Sequence, residues 1–161
     1  MVGIRKGVIV LGIAAAFGAT AFAAPAASAA PAWASNYWTG KNPDTSGCTN
    51  DARTIYSRQL GDGNGHVSSA TIQLRYSPYC KAAWAKLVNG WPADPGSHVG
   101  CKVVVRREDG RAYSAVVDPG DTSAYTLMVD DDQTHNTLYA SRAEGSCDSG
   151  NYVYTNSTPY Y

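Results

Sequence analysis

Alternation of apolar and polar residues marks most of this chain as strand. Val67 to Tyr76 sends Ile72, Leu74 and Tyr76 to one side and Thr71, Gln73 and Arg75 to the other. That is the period of two that a half-buried strand requires. Arg53 to Leu60 reads as a first strand with Ile55 and Tyr56 as its bulky members. The glycine-rich turn Gly61-Asp62-Gly63-Asn64-Gly65 joins the two. Further on, Cys101 to Glu108 and Arg111 to Asp118 predict a hairpin about Asp109-Gly110. A type I′ turn there sets Glu108 opposite Arg111 and Val104 opposite Ala115. Ala124 to Asp130 alternates with Tyr125, Leu127 and Val129 inward. Thr137 to Glu144 is the next strand, and Tyr152 to Tyr154 a short last one.

One segment follows another period. Cys80, Ala83, Trp84, Leu87 and Val88 recur at i, i+3, i+4, i+7 and i+8, the stripe of an amphipathic helix. Ser77 suits the N-cap, Pro78 the first helical position and Gly90 the residue past the end. Trp84, in mid-stripe, is predicted to be core. The order β-β-α-β-β-β-β predicts an α+β, mostly β domain: an antiparallel curved sheet or partly closed barrel with one helix.

The first residues change the picture of where the protein works. Arg5 and Lys6 precede the apolar run Val8–Phe17, and Ala27-Ser28-Ala29 offers an A-x-A cleavage pattern. Residues 1–29 therefore read as a signal peptide, which predicts a secreted protein with no membrane segment after cleavage. The remainder carries 11 basic and 13 acidic residues, a net charge of −2, so no basic footprint for nucleic acid is expected. It holds no Phe but 11 Tyr and 4 Trp, amphipathic rings suited to half-buried positions and interfaces. Cys48, Cys80, Cys101 and Cys147 read as two disulfides in an exported chain. Of three connectivities, Cys48–Cys80 with Cys101–Cys147 is preferred, because each bridge then brackets one half of the domain. Residues 48–161 form that single domain; residues 30–47 form an aperiodic arm that still carries Trp33, Tyr37 and Trp38. Such rings dock either on their own domain or on a partner.

The search for chemistry is mostly negative. No G-x-S-x-G, H-E-x-x-H or P-loop occurs. Gly61, Gly63 and Gly65 lack the Lys-Ser/Thr and helix start of a phosphate loop. The calcium-loop reading of Asp62-Gly63-Asn64-Gly65-His66 fails at Val67 and Gln73. Asp130, Asp131 and Asp132 near His135 read as a solvated hairpin tip ahead of a cation site. His66, His98 and His135, with Glu108 and arginines, could build a ribonuclease-like site only if the fold brought them together. No cofactor and no metal is expected.

Gly47-Cys48, Asp51-Ala52 and Leu74-Arg75-Tyr76-Ser77-Pro78-Tyr79-Cys80-Lys81-Ala82-Ala83-Trp84 together resemble a family of small secreted bacterial domains of uncharacterised function. The pattern is Gly-Cys, Asp-Ala, then L-R-Y-S-P-x-C-x-x-x-W, covering about Thr45 to Leu87. The resemblance implies no catalytic residues and so a binding role. The arm ahead of a disulfide-braced β-domain is also similar in plan to the adaptor subunit of secreted umbrella-shaped antibacterial toxin particles. The resulting expectation is a secreted, non-enzymatic protein-binding module whose partners are other secreted proteins, one held by Trp33, Tyr37 and Trp38. Its rivals are a glycan or cell-wall binder, a protease inhibitor presenting Trp91 to Gly100, and a small hydrolase.

Overall fold

The computed structural model describes residues 36–94, 96–131 and 138–161. Among them are nine strands: β1 (Arg53–Gly61), β2 (Val67–Ser77), β3 (Ala82–Val88), β4 (Gly100–Arg107), β5 (Ala112–Val116), β6 (Ala124–Tyr125), β7 (Val129–Asp130), β8 (Ser141–Asp148) and β9 (Val153–Ser157). They form one antiparallel sheet in the order β5-β4-β8-β9-β1-β2-β3-β6, with β7 also on β3. The sheet curls until β3 and β6 approach β4 and β5, giving a nearly closed barrel. Curling lets one face of every strand bury against the others. Leu60, Ala70, Ile72, Leu74, Ala83, Ala85, Leu87, Val103, Val105 and Ala143 fill the interior beside the Cys101–Cys147 bridge. Gly145 is the close-approach point of this core, because a Cβ there would collide with Ile72.

The mostly β, curved and partly closed reading stands, with two disulfides. The helix does not: the described residues contain no α-helix, only a 3-10 turn at Cys48–Asp51. The predicted helical stripe lies on β3, which pairs with β2 from Thr71↔Val88 to Ser77↔Ala82. Its true period is two. Ala83, Ala85 and Leu87 belong to the barrel interior, while Ala82 and Trp84 join a second cluster on the outside with Cys48, Cys80 and Met128. A strand buried on both faces is apolar without alternation, so spacing alone cannot separate it from a helix. The local cap signal was real. The Ser77 hydroxyl accepts the Cys80 N–H at 3.0 Å, as an N-cap would. Lys81, at φ 50°, then turns the chain back as a hairpin.

Two registers also differ from expectation. The β4–β5 hairpin pairs Val104 with Ser114 and Val103 with Ala115. Its loop is one residue longer than a two-residue turn. The Arg107 N–H donates to Arg111 O, the Gly110 N–H to Arg107 O, and Gly110 has φ 88°. Three-residue loops with glycine in the left-handed region are the common alternative to type I′. In the 124–130 segment, Ala124, Thr126 and Met128 are buried, whereas Tyr125 and Leu127 are each 38 % exposed. Thr126 causes the shift by closing on β3 in place of a strand pair: its N–H donates to Ala85 O at 2.9 Å and its Oγ1 accepts the Ala85 N–H at 3.1 Å. Of the strand expected over Thr137 to Glu144, Thr137 lies outside the described residues, and among the described ones the strand begins at Ser141. After β9, Tyr161 exchanges two 3.0 Å backbone hydrogen bonds with Ser141 and so ties the tail across the barrel end.

Candidate binding surfaces

The residues that carry the family resemblance assemble into one unit at the β2–β3 turn. Gly47, at φ 77°, brings the chain into the 3-10 turn. Asp51 then faces the turn: its Oδ1 accepts from the Ser77 hydroxyl at 2.6 Å and its Oδ2 from the Tyr79 N–H at 2.8 Å. Cys48 and Cys80 are bridged, with Cα atoms 5.8 Å apart. Trp84 lies beneath, 2 % exposed. Gly-Cys, Asp-Ala and S-P-x-C-x-x-x-W are thus the parts of a staple that clamps the chain before β1 onto the outer face of β3.

That staple continues into the arm. Gly40 donates to Met128 O at 2.9 Å, and Met128 donates to Lys41 O at 3.0 Å, so the arm runs beside the chain that leads into β7. Trp38 packs half-buried on the outer cluster. Its backbone N–H donates to Asp130 Oδ2 at 3.2 Å, and the Thr39 hydroxyl donates to Asp130 Oδ1 at 2.5 Å. Residues 36–47 are therefore laid on their own domain. Tyr37 turns outward at 38 % exposure, edge-on to Trp38, with the Lys41 ammonium 3.3 Å from its ring centre. Trp33 lies outside the described residues.

Asp130 is no solvated tip. It is buried because Arg107, 1 % exposed, ends the inward row of β4 and needs a carboxylate. Arg107 Nη1 donates to Asp130 O and Oδ1 at 2.8 and 3.1 Å. Its Nε and Nη2 donate to the two Asp109 oxygens at 3.0 and 2.5 Å, and Nη2 also reaches Asn36 Oδ1 at 3.0 Å. Every nitrogen of the guanidinium is thereby satisfied, which is what makes a buried cation tolerable. Hydrogen bonding from Arg107 pulls the Asp109 carboxyl down to about 2. Arg111 also donates to Asn36 Oδ1. The same end holds Tyr76, whose hydroxyl donates to Asp131 at 2.7 Å. Burial, followed by that carboxylate, pushes the Tyr76 phenol up, and burial pushes the Asp131 carboxyl up.

The outer face of β4, β8 and β9 carries a polar groove that sequence reasoning missed. Lys102, Arg106, Arg142 and Glu144 come together there through the β4–β8 register, Lys102↔Ser146 to Arg106↔Arg142. Burial pushes the Glu144 carboxyl up, but hydrogen bonds from Arg106 and Arg142 outweigh it and hold it below its usual range. The only local signal was that Lys102, Val104 and Arg106 share one parity, as do Arg142, Glu144 and Ser146.

The other candidate residues stay apart. His66 pairs with Asp62 at 2.6 Å in the β1–β2 turn and lies beside Tyr152, ring centres 5.1 Å apart. Asp62 is held below its usual range by that bond. Its Oδ1 also accepts the Asn64 and His66 N–H groups, so the glycine-rich turn closes on itself. His98 lies exposed in the loop before β4, while Glu108 lies in the β4–β5 hairpin and accepts the Ala140 N–H at 3.2 Å. Asp132 and His135 lie outside the described residues. The described part of Trp91 to Gly100 is pinned back: the Trp91 indole donates to Asp148 O at 2.9 Å and the Ala93 N–H to Val117 O at 3.0 Å. Among the described residues, no group of three His, Cys, Asp or Glu converges as a metal site.

The fold and its surfaces define a small barrel braced by two disulfides, with a stapled N-terminal strap and a polar outer groove. The chain belongs to the family described as protein of unknown function (DUF2690), which matches residues 36–141. That span contains the strap, the staple and strands β1 to β7. No curated protein and no solved structure gives a significant match.

Proposed function

We propose that the protein is a secreted, non-enzymatic adaptor that joins other secreted proteins, one through the residues at and before Tyr37 and another through the barrel. The observation that carries this reading is how Tyr37 is held. Asn36 is gripped by Arg107 and Arg111, and Tyr37 beside it is 38 % exposed. A ring held on a fixed backbone loses less freedom on binding than one on a loose tether. In this division Trp38 is the positioning ring, and Tyr37 with Trp33 supplies the aromatic anchors that dominate many interfaces. Export is supported by the leader pattern of residues 1–29. The two disulfides, and the lack among the described residues of a helix long and apolar enough to cross a membrane, are compatible with it. The similarity in plan to toxin-particle adaptors supplies the setting: a partner subunit on either side of a small rigid link.

The test is purification of the tagged full chain from the culture fluid of its producer, with identification of what co-purifies. Trp33→Ala with Tyr37→Ala should release one partner and leave the melting temperature unchanged. Recovery of the same set of proteins by wild type and variant would refute the anchor.

A further inference from the structure

A groove of ≈ 620 Å³ crosses the outer face of β4, β8 and β9, its lining including Lys102, Val104, Arg142, Glu144, Ser146 and Thr155. Its volume is in the range of small-ligand sites. Arg106 stands directly opposite Arg142 in the β4–β8 ladder, a like-charge pairing that is unfavourable by itself. One carboxylate serves both. Glu144 Oε1 accepts from Arg106 Nε at 2.9 Å and Arg142 Nε at 2.8 Å, and Oε2 accepts from Arg106 Nη2 at 3.2 Å. Arg142 is further held under the Tyr160 ring, 4.9 Å from its centre.

The groove and its Arg106 edge therefore carry three positive charges, on Lys102, Arg106 and Arg142, against Glu144, with Asp148 further along the same row of β8. The chain after residue 29 is net negative, so this excess is local. Lys102 is exposed, and its ammonium makes no hydrogen bond or ion pair among the described residues. The Lys102 ammonium and the Nη1 groups of both arginines have no partner among the described residues and remain as donors. Fixed planar guanidinium groups recognise carboxylates in two-pronged fashion, and Glu144 already demonstrates that fit on Arg106.

We propose that this groove docks an extended, acidic peptide segment of a partner protein, with Asp or Glu side chains on Lys102, Arg106 and Arg142. The inference rests on the adaptor reading and names the surface for its second partner. A peptide fits better than a polyanionic glycan because the groove mixes charge with the apolar side chain of Val104. Alternate side chains of an extended peptide cover both. Glu144 is then an internal competitor, occupying the forks until the partner's carboxylates share them.

The experiment uses the exported chain and a fluorescein-labelled octapeptide of alternating Glu and Val, followed by fluorescence anisotropy. Its counterpart with Gln for Glu, and an inorganic polyphosphate competitor, are the controls. The Glu peptide should bind about tenfold more tightly than the Gln peptide and weaken as salt rises. Arg142→Gln and, separately, Lys102→Gln should each weaken it several-fold. Glu144→Gln should tighten it, an effect that a merely structural ion pair would not give. Equal binding of the two peptides, weaker binding by Glu144→Gln, or binding of polyphosphate with none of the peptide would overturn the proposal. Loss of partners on changing Trp33 and Tyr37 is read in a separate experiment, so either idea can fail alone.

Discussion

The two apolar clusters meet at β3 and are built by different means. Inside the barrel, alternate residues of the long strands supply the packing, and the Cys101–Cys147 bridge lies within a ladder that is already paired, Cys101↔Cys147. Outside, Trp84 and Met128 are covered by Trp38 and Ala52 and by the Cys48–Cys80 bridge. None of those covering residues sits in a strand of the sheet. The inner cluster follows from backbone pairing; the outer one exists only because a strap and a staple hold an irregular segment over a strand face. The difference explains why the motif is built from Gly, Cys, Asp, Ser and Trp. It is the chemistry needed where sheet pairing gives no help.

Substitutions separate the two clusters. Trp84→Ala should cost about 3–5 kcal/mol by opening a cavity under the strap, measured by urea unfolding. A loss below about 1 kcal/mol would mean that the outer cluster does not contribute to the fold. Arg107→Met should cost about 3–5 kcal/mol at pH 7, because Asp130 is left buried without its cation. The pH dependence has a definite sign. The folded Asp109 carboxyl is depressed to about 2 by Arg107, so its stabilisation is complete above the ordinary carboxylate range and lost as pH falls toward 2. The gap between wild type and Arg107→Met should therefore narrow on acidification, as unfolding at pH 7 and pH 2.5 would show. A gap that widened would contradict the network. In the inner cluster, Gly145→Ala should cost about 1–3 kcal/mol, since its Cβ meets Ile72. Asp131→Asn should have the smallest effect and the opposite sign, a slight gain at pH 7. Burial raises that carboxyl's pKa, so its ionised form is the disfavoured one, and an amide still accepts from Tyr76.

The inner cluster was largely legible in the sequence. Ile72 and Leu74 declared their face by alternation, and β1, β2, β4 and β5 fall close to their predicted bounds. The outer cluster was not. Ala82 to Val88 hid a strand because both faces are apolar, and the Ser77-Pro78 turn imitates a helix start. Tyr125 and Leu127 looked inward until Thr126 took the β3 contacts. The groove was invisible for a third reason. Arg106 meets Arg142 only through a β4–β8 register joining residues 36 apart in sequence, which no local pattern encodes.

The strap is the point on which fold and function both depend, and two shortened chains test it. One starts at Asn36 and keeps the Arg107, Asp130 and Met128 contacts; the other starts at Thr45 and loses them. Thermal unfolding of the first should match that of the chain starting at Ala30, while the second should melt at least about 5 °C lower. Equal melting temperatures for both would show that residues 36–44 are no part of the domain, and the account of a fixed base for a partner-binding arm would fail.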